Sequence, residues 1–182
     1  MMKVLVIHPE DQSTDFLDVI YKDHTDWTVI RTGIGYGLTK KKLKSLILDH
    51  DVIMMLGHGT EQGLMCSDFS AVIDSSYVYL LREKLTVGIW CNADQFYKKY
   101  ELTGLGTGMI ISEYMEANLF CVNANYSEID KSNHAFAKAI RDNLNLTDIP
   151  QSVIDAKNDY VVINEVTQFN NENIYSFNKG IS

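Results

Sequence analysis

Short runs of apolar residues recur along this chain, and they restrict its fold more than any other feature. Three of them are "VLVI" (Val4–Ile7), "VIMML" (Val52–Leu56) and "TVGIW" (Thr86–Trp90). They show almost no alternation of polar and apolar residues, which is typical of strands that helices cover on both faces. The run at Val4–Ile7 therefore predicts a buried strand. Val52–Leu56 and Thr86–Trp90, together with the similar run Gly108–Ser112, predict the central strands of a mainly parallel sheet.

The segments between these runs have helical spacing or turn composition. We predict further strands at Trp27–Arg31, Gly108–Ser112 and Tyr160–Asn164, and an edge strand at Ile174–Phe177. We predict helices at Asp15–Lys22, after an N-cap at Thr39, after Asp74, at Tyr114–Val122 and at Asn133–Leu144. A hairpin-like stretch at Gly63–Ile73 and a polar loop at Asn92–Gly104 complete the pattern.

Alternating strands and helices predict an α/β fold. We expect a three-layer αβα sandwich whose mainly parallel central sheet has about six strands. One domain spans residues 1–182 in this prediction, with its core at about 3–165 and with residues 166–182 as a tail that adds the edge strand.

The charge balance argues against two classes of partner. The 182 residues carry 24 acidic and 16 basic side chains, a formal net charge of −8, whereas nucleic-acid binding needs clustered Lys and Arg. The basic cluster Thr39–Ser45 is interpreted as the solvated face of a helix. No apolar run approaches the roughly 20 residues of a membrane span. We therefore expect a cytoplasmic protein that binds neither nucleic acid nor membranes.

Two residues with catalytic chemistry directly follow predicted central strands. His58 comes just after Val52–Leu56, and Cys91 follows Thr86–Trp90. Both would lie at the carboxyl edge of the sheet, where open α/β sheets place their sites. If the two strands are neighbours, the imidazole can favour the thiolate or take its proton during attack. The N–H groups of Gly59 and Cys91 are then candidates for an oxyanion hole.

A structural interpretation stands beside this one. Most free cysteines are small buried apolar residues, and a histidine at a strand end is often a polar group with satisfied hydrogen bonds. A zinc site would need closer ligand spacing than His58, Cys66 and Cys91 provide. The sequence therefore predicts no metal and no cofactor.

The ordered pattern resembles the caspase-like cysteine peptidases, a superfamily that includes caspases, gingipains, legumain, separase and CHAT-domain proteins. The matching segments are "VIMMLGHGT" (Val52–Thr60), a helix and "LTVGIWCN" (Leu85–Asn92). "CNADQF" (Cys91–Phe96) is similar to gingipain-type sequence after the nucleophile, and Gly104–Asn118 to the strand–helix step of CHAT-like members. The resemblance covers about residues 3–122.

This resemblance implies an endopeptidase that forms a thioester. Cys91 would be the nucleophile, His58 the general base and acid, and the N–H groups of Gly59 and Cys91 the oxyanion hole. The implied partner is a peptide or protein substrate, and formation of a homo-oligomer is left open. Trp90 stands where many members have Ala or Ser, so its indole would either narrow the site or pack beneath it.

Three acidic residues are candidates for substrate binding. Asp94 would receive a basic side chain, Glu61 would line the cleft, and Glu113 would orient a substrate. Asp94 and Glu113 also have structural interpretations, because Asp favours loop turns and Glu favours helix starts.

Two other functions remain open at this stage. One is a catalytically inactive caspase-like fold that binds a ligand or a protein, with His58 and Cys91 only lining the pocket. The other is a nucleotide-handling enzyme that uses the "GIGYG" loop (Gly33–Gly37), although this loop lacks the GxGxxG pattern.

Overall fold

The computed structural model describes residues 2–33, 35 and 37–178 of the chain. Nine strands are present in these ranges: β1 (Val4–Ile7), β2 (Thr28–Ile30), β3 (Val52–Leu56), β4 (His58–Thr60), β5 (Gly63–Met65), β6 (Ala71–Ile73), β7 (Leu85–Ile89), β8 (Thr103–Thr107) and β9 (Ile174–Phe177). The α-helices are α1 (Lys40–Asp49), α2 (Val78–Leu81), α3 (Ala93–Tyr100), α4 (Tyr114–Leu119), α5 (Tyr126–Asn143), α6 (Ile149–Asp159) and α7 (Glu165–Glu172). Two 3₁₀ helices cover Asp15–Ile20 and Ser75–Tyr77.

Six strands form the central sheet in the order β2-β1-β3-β7-β8-β9. The first five are parallel, and β9 closes the edge antiparallel to β8. A second, three-stranded antiparallel sheet has the order β4-β5-β6 and contains the predicted hairpin-like stretch. The architecture confirms the predicted α/β fold with a mainly parallel six-stranded sheet between helices.

The side chains of the central strands alternate between two apolar layers. In β1, Val4 and Val6 belong to the layer that α5 and α6 cover, and Leu5 and Ile7 belong to the layer that α1 and α3 cover. All five residues of β3 are fully buried. Burial on both faces explains why these strands carry continuous apolar runs.

The predicted loop at Asn92–Gly104 is wrong, because this segment contains α3 and the start of β8. Ala93, Phe96 and Tyr97 lie at helical spacing and are fully buried, although polar residues surround them in the sequence. The predicted strand at Gly108–Ser112 is also wrong. The strand is β8, "TGLGT", and the more apolar residues after it are buried without pairing in the sheet.

The predicted strand at Tyr160–Asn164 is wrong as well. Val161, Val162 and Ile163 are more than half exposed, and the segment connects α6 to α7. The sixth strand of the sheet is β9, which was predicted as an edge strand and is confirmed as one. Helices α6 and α7 were not predicted, and the buried side chains of α7 extend the core beyond residue 165.

Several local signals in the sequence act as predicted. The Thr39 side chain accepts a hydrogen bond from the N–H of Lys42 and caps α1. Asp74 accepts from the N–H of Ser76, although the helix that follows is a 3₁₀ turn leading into the short α2.

No helix in the described ranges is long and apolar enough to cross a membrane. Ile34 and Tyr36 of the "GIGYG" loop lie outside the described residues, as do Met1 and residues 179–182.

A buried histidine lies at the carboxyl end of β1. His8 has no exposed surface, and its Nδ1 accepts a hydrogen bond from Nη1 of Arg31 at 2.6 Å. A guanidinium can only donate, so Nδ1 carries the lone pair and the ring is neutral. Burial, together with the charge of Arg31, lowers the pKa of His8 to about 3.

This low pKa predicts that the fold loses stability in mild acid. Between about pH 6.5 and pH 3 the unfolded chain binds a proton at His8 that the folded chain does not bind. The free energy of unfolding therefore falls by up to about 1.4 kcal/mol for each pH unit of acidification. We expect His8→Gln to lower stability at pH 7.5 but to flatten this dependence. Urea unfolding between pH 7.5 and 4.5 measures it, with the exposed His134→Gln as control. An unchanged slope in His8→Gln would contradict the assignment.

Candidate functional site

The two predicted catalytic residues follow neighbouring strands. β3 pairs with β7 in parallel register, with Leu56 opposite Ile89, and the N–H of Gly57 donates to the carbonyl of Ile89 at 3.0 Å. In the sheet, β2 lies on one side of β1 and β3 lies on the other. The chain leaves β1 towards β2 but leaves β3 towards β7, so the loops after β1 and β3 diverge. Such a switch point opens a crevice at the carboxyl edge of the sheet.

A cavity of about 770 Å³ occupies this crevice. It is lined by residues from the loop after β1, from the small antiparallel sheet, and from the segments after β7 and β8. These residues are Asp11, Gln12, Ser13, His58, Gly59, Thr60, Met65, Cys66, Ser67, Phe69, Cys91, Met109, Glu113 and Glu116. The structure therefore brings His58 and Cys91 into one cavity.

The imidazole of His58 is held by the loop that follows β1. Its Nε2 lies 2.7 Å from Oγ of Ser13 and 3.7 Å from Oδ2 of Asp11. Asp11 Oδ1 in turn accepts hydrogen bonds from the hydroxyl and the N–H of Ser13, at 2.7 and 2.9 Å.

These contacts fix which nitrogen of His58 carries the proton. Burial raises the pKa of the Asp11 carboxyl, but the hydrogen bonds from Ser13 and the nearby His58 outweigh it, so the net pKa is lowered. An ionised carboxylate only accepts, so the Ser13 hydroxyl donates to Asp11 and its oxygen accepts from Nε2–H of His58. The lone pair of the neutral ring is then on Nδ1, the nitrogen available to a base.

Cys91 is a protonated thiol in this arrangement. Its Sγ donates to the carbonyl of Ile110 at 3.6 Å and lies 4.0 Å from Oε1 of Glu116. Burial raises the pKa of Cys91 to about 12, and the charge of Glu116 adds to the increase. Among the described residues, no hydrogen bond joins the Cys91 thiol to the His58 ring. The free protein therefore holds a thiol rather than a thiolate–imidazolium pair.

Glu116 is fixed beside the thiol by the backbone at the start of α4. Its Oε2 accepts hydrogen bonds from the N–H groups of Ser112 and Glu113, at 2.7 and 3.0 Å. A glutamine at position 116 keeps an oxygen acceptor for these donors and removes the negative charge.

We expect Glu116→Gln to lower the pKa of Cys91 and to accelerate its alkylation. The thiolate is the reactive species, so the rate with iodoacetamide at pH 8.5 should rise roughly two- to tenfold. Mass mapping of Cys91 over time measures the rate, and Glu61→Gln is the control because Glu61 lies in an exposed turn. An unchanged or slower reaction in Glu116→Gln would show that its charge does not govern this thiol.

Trp90 packs beneath the candidate site instead of narrowing it. The indole is 2% exposed, and its Nε1 donates to the carbonyl of Thr60 at 2.9 Å. A Cβ atom on Gly59 would lie 2.2 Å from Cδ1 of Trp90. The glycine after His58 is therefore required by the close approach of the indole to the backbone of β4.

The other predicted site residues are divided between the cavity and other surfaces. Gly59 and Glu113 line the cavity. Asp94 lies in the first turn of α3, where its Oδ2 binds Nζ of Lys98 at 2.7 Å, and it is outside the cavity lining. Glu61 is exposed in the turn between β4 and β5. The substrate-binding roles of Asp94 and Glu61, and the oxyanion hole, stay predictions.

Asp11, Ser13 and Glu116 were not among the residues that the sequence predicted for the site. A signal for the first two existed, because "DQS" follows β1 and lies at the same carboxyl edge as His58. Glu116 had no such signal, since it is in a helix and reaches the thiol only because the chain folds back after β8.

No metal centre is evident in the part of the chain that the structure describes, where no three His, Cys, Asp or Glu side chains are grouped to hold an ion. Comparisons of the chain with protein-family models, curated proteins and solved structures gave no match.

Proposed function

We propose that the chain is a caspase-like cysteine endopeptidase with Cys91 as nucleophile and His58 as general base and acid. The observation that carries this proposal is that the two residues follow paired strands and line one cavity. A cavity of about 770 Å³ is large enough for several groups of a peptide.

The proposed reaction passes through a thioester, and His58 accepts and returns a proton once in acylation and once in hydrolysis of the thioester. Sγ of Cys91 attacks the scissile carbonyl carbon while its proton passes to Nδ1 of His58. The N–H groups of Gly59 and Cys91 stabilise the oxyanion. The tetrahedral intermediate expels the amine, which takes the proton from His58 and leaves an acyl–Cys91 thioester. Water, deprotonated by His58, then releases the acid and restores the thiol.

The Ser13–Asp11 pair supports the role of His58 in this reaction. When His58 becomes an imidazolium, the carboxylate of Asp11 at 3.7 Å stabilises its charge. The high pKa of Cys91 means that its proton leaves during the attack, with the imidazole accepting it, because a free thiolate is scarce at neutral pH.

A second candidate function is an inactive member of this fold that binds a ligand or a protein. The observation that favours it is the hydrogen bond from the Cys91 thiol to the carbonyl of Ile110, which engages the thiol with a backbone acceptor instead of the imidazole of His58. In such a protein the cavity would be retained, and Cys91 and His58 would not catalyse hydrolysis.

Labelling with peptidyl acyloxymethyl ketones separates the two functions. Wild type and His58→Ala are treated with probes that carry basic, acidic or neutral P1 residues, and the modified residue is mapped by mass spectrometry. An endopeptidase gives selective labelling of Cys91 that depends on His58. Cys66 lines the same cavity and Cys121 is exposed, so both are internal controls for general thiol reactivity. Labelling of Cys91 that is indifferent to His58, or no selective labelling, would favour the binding function.

A further inference from the structure

A second cavity adjoins the one that contains His58 and Cys91. It has a volume of about 730 Å³ and lies between the first 3₁₀ helix, the start of α4 and one face of α5. Gln12, Ser13 and Glu113 line both cavities. The two cavities are therefore neighbours that share part of their walls, so a peptide in the first lies beside the second.

The second cavity is strongly acidic. Four carboxylates line it, those of Asp15, Asp18, Glu113 and Asp130, whereas Lys22 is the one Lys or Arg among its described lining residues. Asp15 is already paired with Arg31, and Asp130 with His134 when that ring is protonated. The carboxylate of Asp18, in contrast, has neither an ion pair nor a hydrogen bond within the described ranges.

A buried amide in the wall adds an acceptor that has no donor. Asn133 is 8% exposed and lines the cavity, and its Nδ2 donates to the carbonyl of Ser112 at 2.9 Å. This bond fixes the orientation of the amide, and Oδ1 has no hydrogen-bond partner in the described part of the chain. A buried acceptor without a donor is unfavourable, so a ligand that supplies N–H groups gains from reaching it.

The rim of the cavity is aromatic. The rings of Tyr114 and Tyr126 stack with their centroids 4.6 Å apart, and both residues line the cavity. Aromatic faces attract cations as well as apolar methylene groups. The wall thus suits a long side chain that is apolar along its stem and charged at its tip.

We propose that this second cavity binds a lysine or arginine side chain of the peptide substrate. The proposal rests on the proposed function, and it names the substrate class as peptides with a basic residue near the scissile bond. Asp18 and Glu113 supply the counter-charge, and Asn133 Oδ1 supplies a neutral acceptor. These carboxylates lie on other elements than Asp94, which pairs with Lys98 and lines neither cavity.

The test uses two series of octapeptides that differ by one charge. In one series a single lysine is moved through an alanine background, and in the other norleucine takes its place. We expect kcat/KM of wild type to favour lysine by about tenfold or more at one position, as a charge-assisted hydrogen bond in a partly enclosed site would give. Asp18→Asn should reduce this preference at least about threefold. Asp23→Asn, an equal change of charge at an exposed residue outside the cavity, should leave it unchanged.

A binding measurement separates failure of this proposal from failure of the proposed function. A lysine peptide and the norleucine peptide of otherwise identical sequence are labelled with fluorescein and titrated with Cys91→Ala. Fluorescence anisotropy gives Kd for each peptide. Tighter binding of the lysine peptide, weakened by Asp18→Asn, supports the cationic subsite even when wild type hydrolyses nothing. Equal Kd values for the lysine and norleucine peptides overturn the subsite, whether or not wild type cleaves them. Asn133→Leu is a second variant that should weaken the lysine peptide selectively, and loss of binding for both peptides would instead indicate a disturbed fold.

Discussion

Replacing Cys91 by alanine is expected to reduce kcat for peptide hydrolysis by at least about 10³-fold. The thioester cannot form without Sγ, and groups that act together as nucleophile and base lose most of their effect when one is removed. His58→Ala should cost a similar factor, since the Cys91 thiol, with its pKa of about 12, then has no proton acceptor. The double variant should be little worse than either single one.

Initial rates on the octapeptide series measure this loss, and thermal unfolding verifies that the variants remain folded. Cys121→Ser is the matched control, because that thiol is exposed and outside the cavity. Its rate should equal that of wild type. Full activity in Cys91→Ala or in His58→Ala would rule out the proposed dyad, and activity lost only in Cys121→Ser would place the reactive thiol elsewhere.

Replacing Gly104 by alanine should lower the free energy of unfolding strongly, although it adds only one methyl group. Gly104 has a φ of +142°, a conformation that L-residues rarely adopt. A Cβ atom there would lie 1.7 Å from the carbonyl oxygen of Thr86, inside the β7–β8 pairing. The backbone of Gly104 and the carbonyl of Thr86 both belong to a buried sheet. Neither can therefore move without breaking hydrogen bonds between β7 and β8.

We expect Gly104→Ala to lower the free energy of unfolding by more than about 4 kcal/mol, which is enough to unfold many small domains. Gly106→Ala in the same strand is the matched control. Its Cβ would meet the ring of Phe177 at 3.0 Å, and a side chain can shift by a few tenths of an ångström. Urea unfolding of the three proteins measures the difference. A Gly104→Ala protein as stable as Gly106→Ala would show that the backbone at this position is not constrained as described.

The prediction of β8 failed for the same reason that Gly104 cannot be replaced. The strand "TGLGT" is poor in apolar residues because its neighbours come too close for side chains, so its sequence lacks the signal of a strand. In "GMIIS", which has that signal, Ile110 and Ile111 are buried after the strand has ended. Apolar residues report burial, and burial coincides with a strand only where the sheet has room for side chains. The exposed "VVI" at Val161–Ile163 is the opposite case, an apolar run without a sheet edge beside it.

The sequence by itself determined the α/β class, the buried strands β1, β3 and β7, and the location of His58 and Cys91 at their carboxyl ends. These features follow from local patterns. A strand buried on both faces needs a nearly continuous apolar run, and residues with catalytic chemistry such as His58 and Cys91 follow the end of that run. Only the tertiary structure decided what surrounds the two residues. Ser13 contacts His58 across 45 positions and Glu116 approaches Cys91 across 25, and these contacts depend on strand order and on the path of the chain after β8. No local pattern encodes them, since they arise from how whole elements pack.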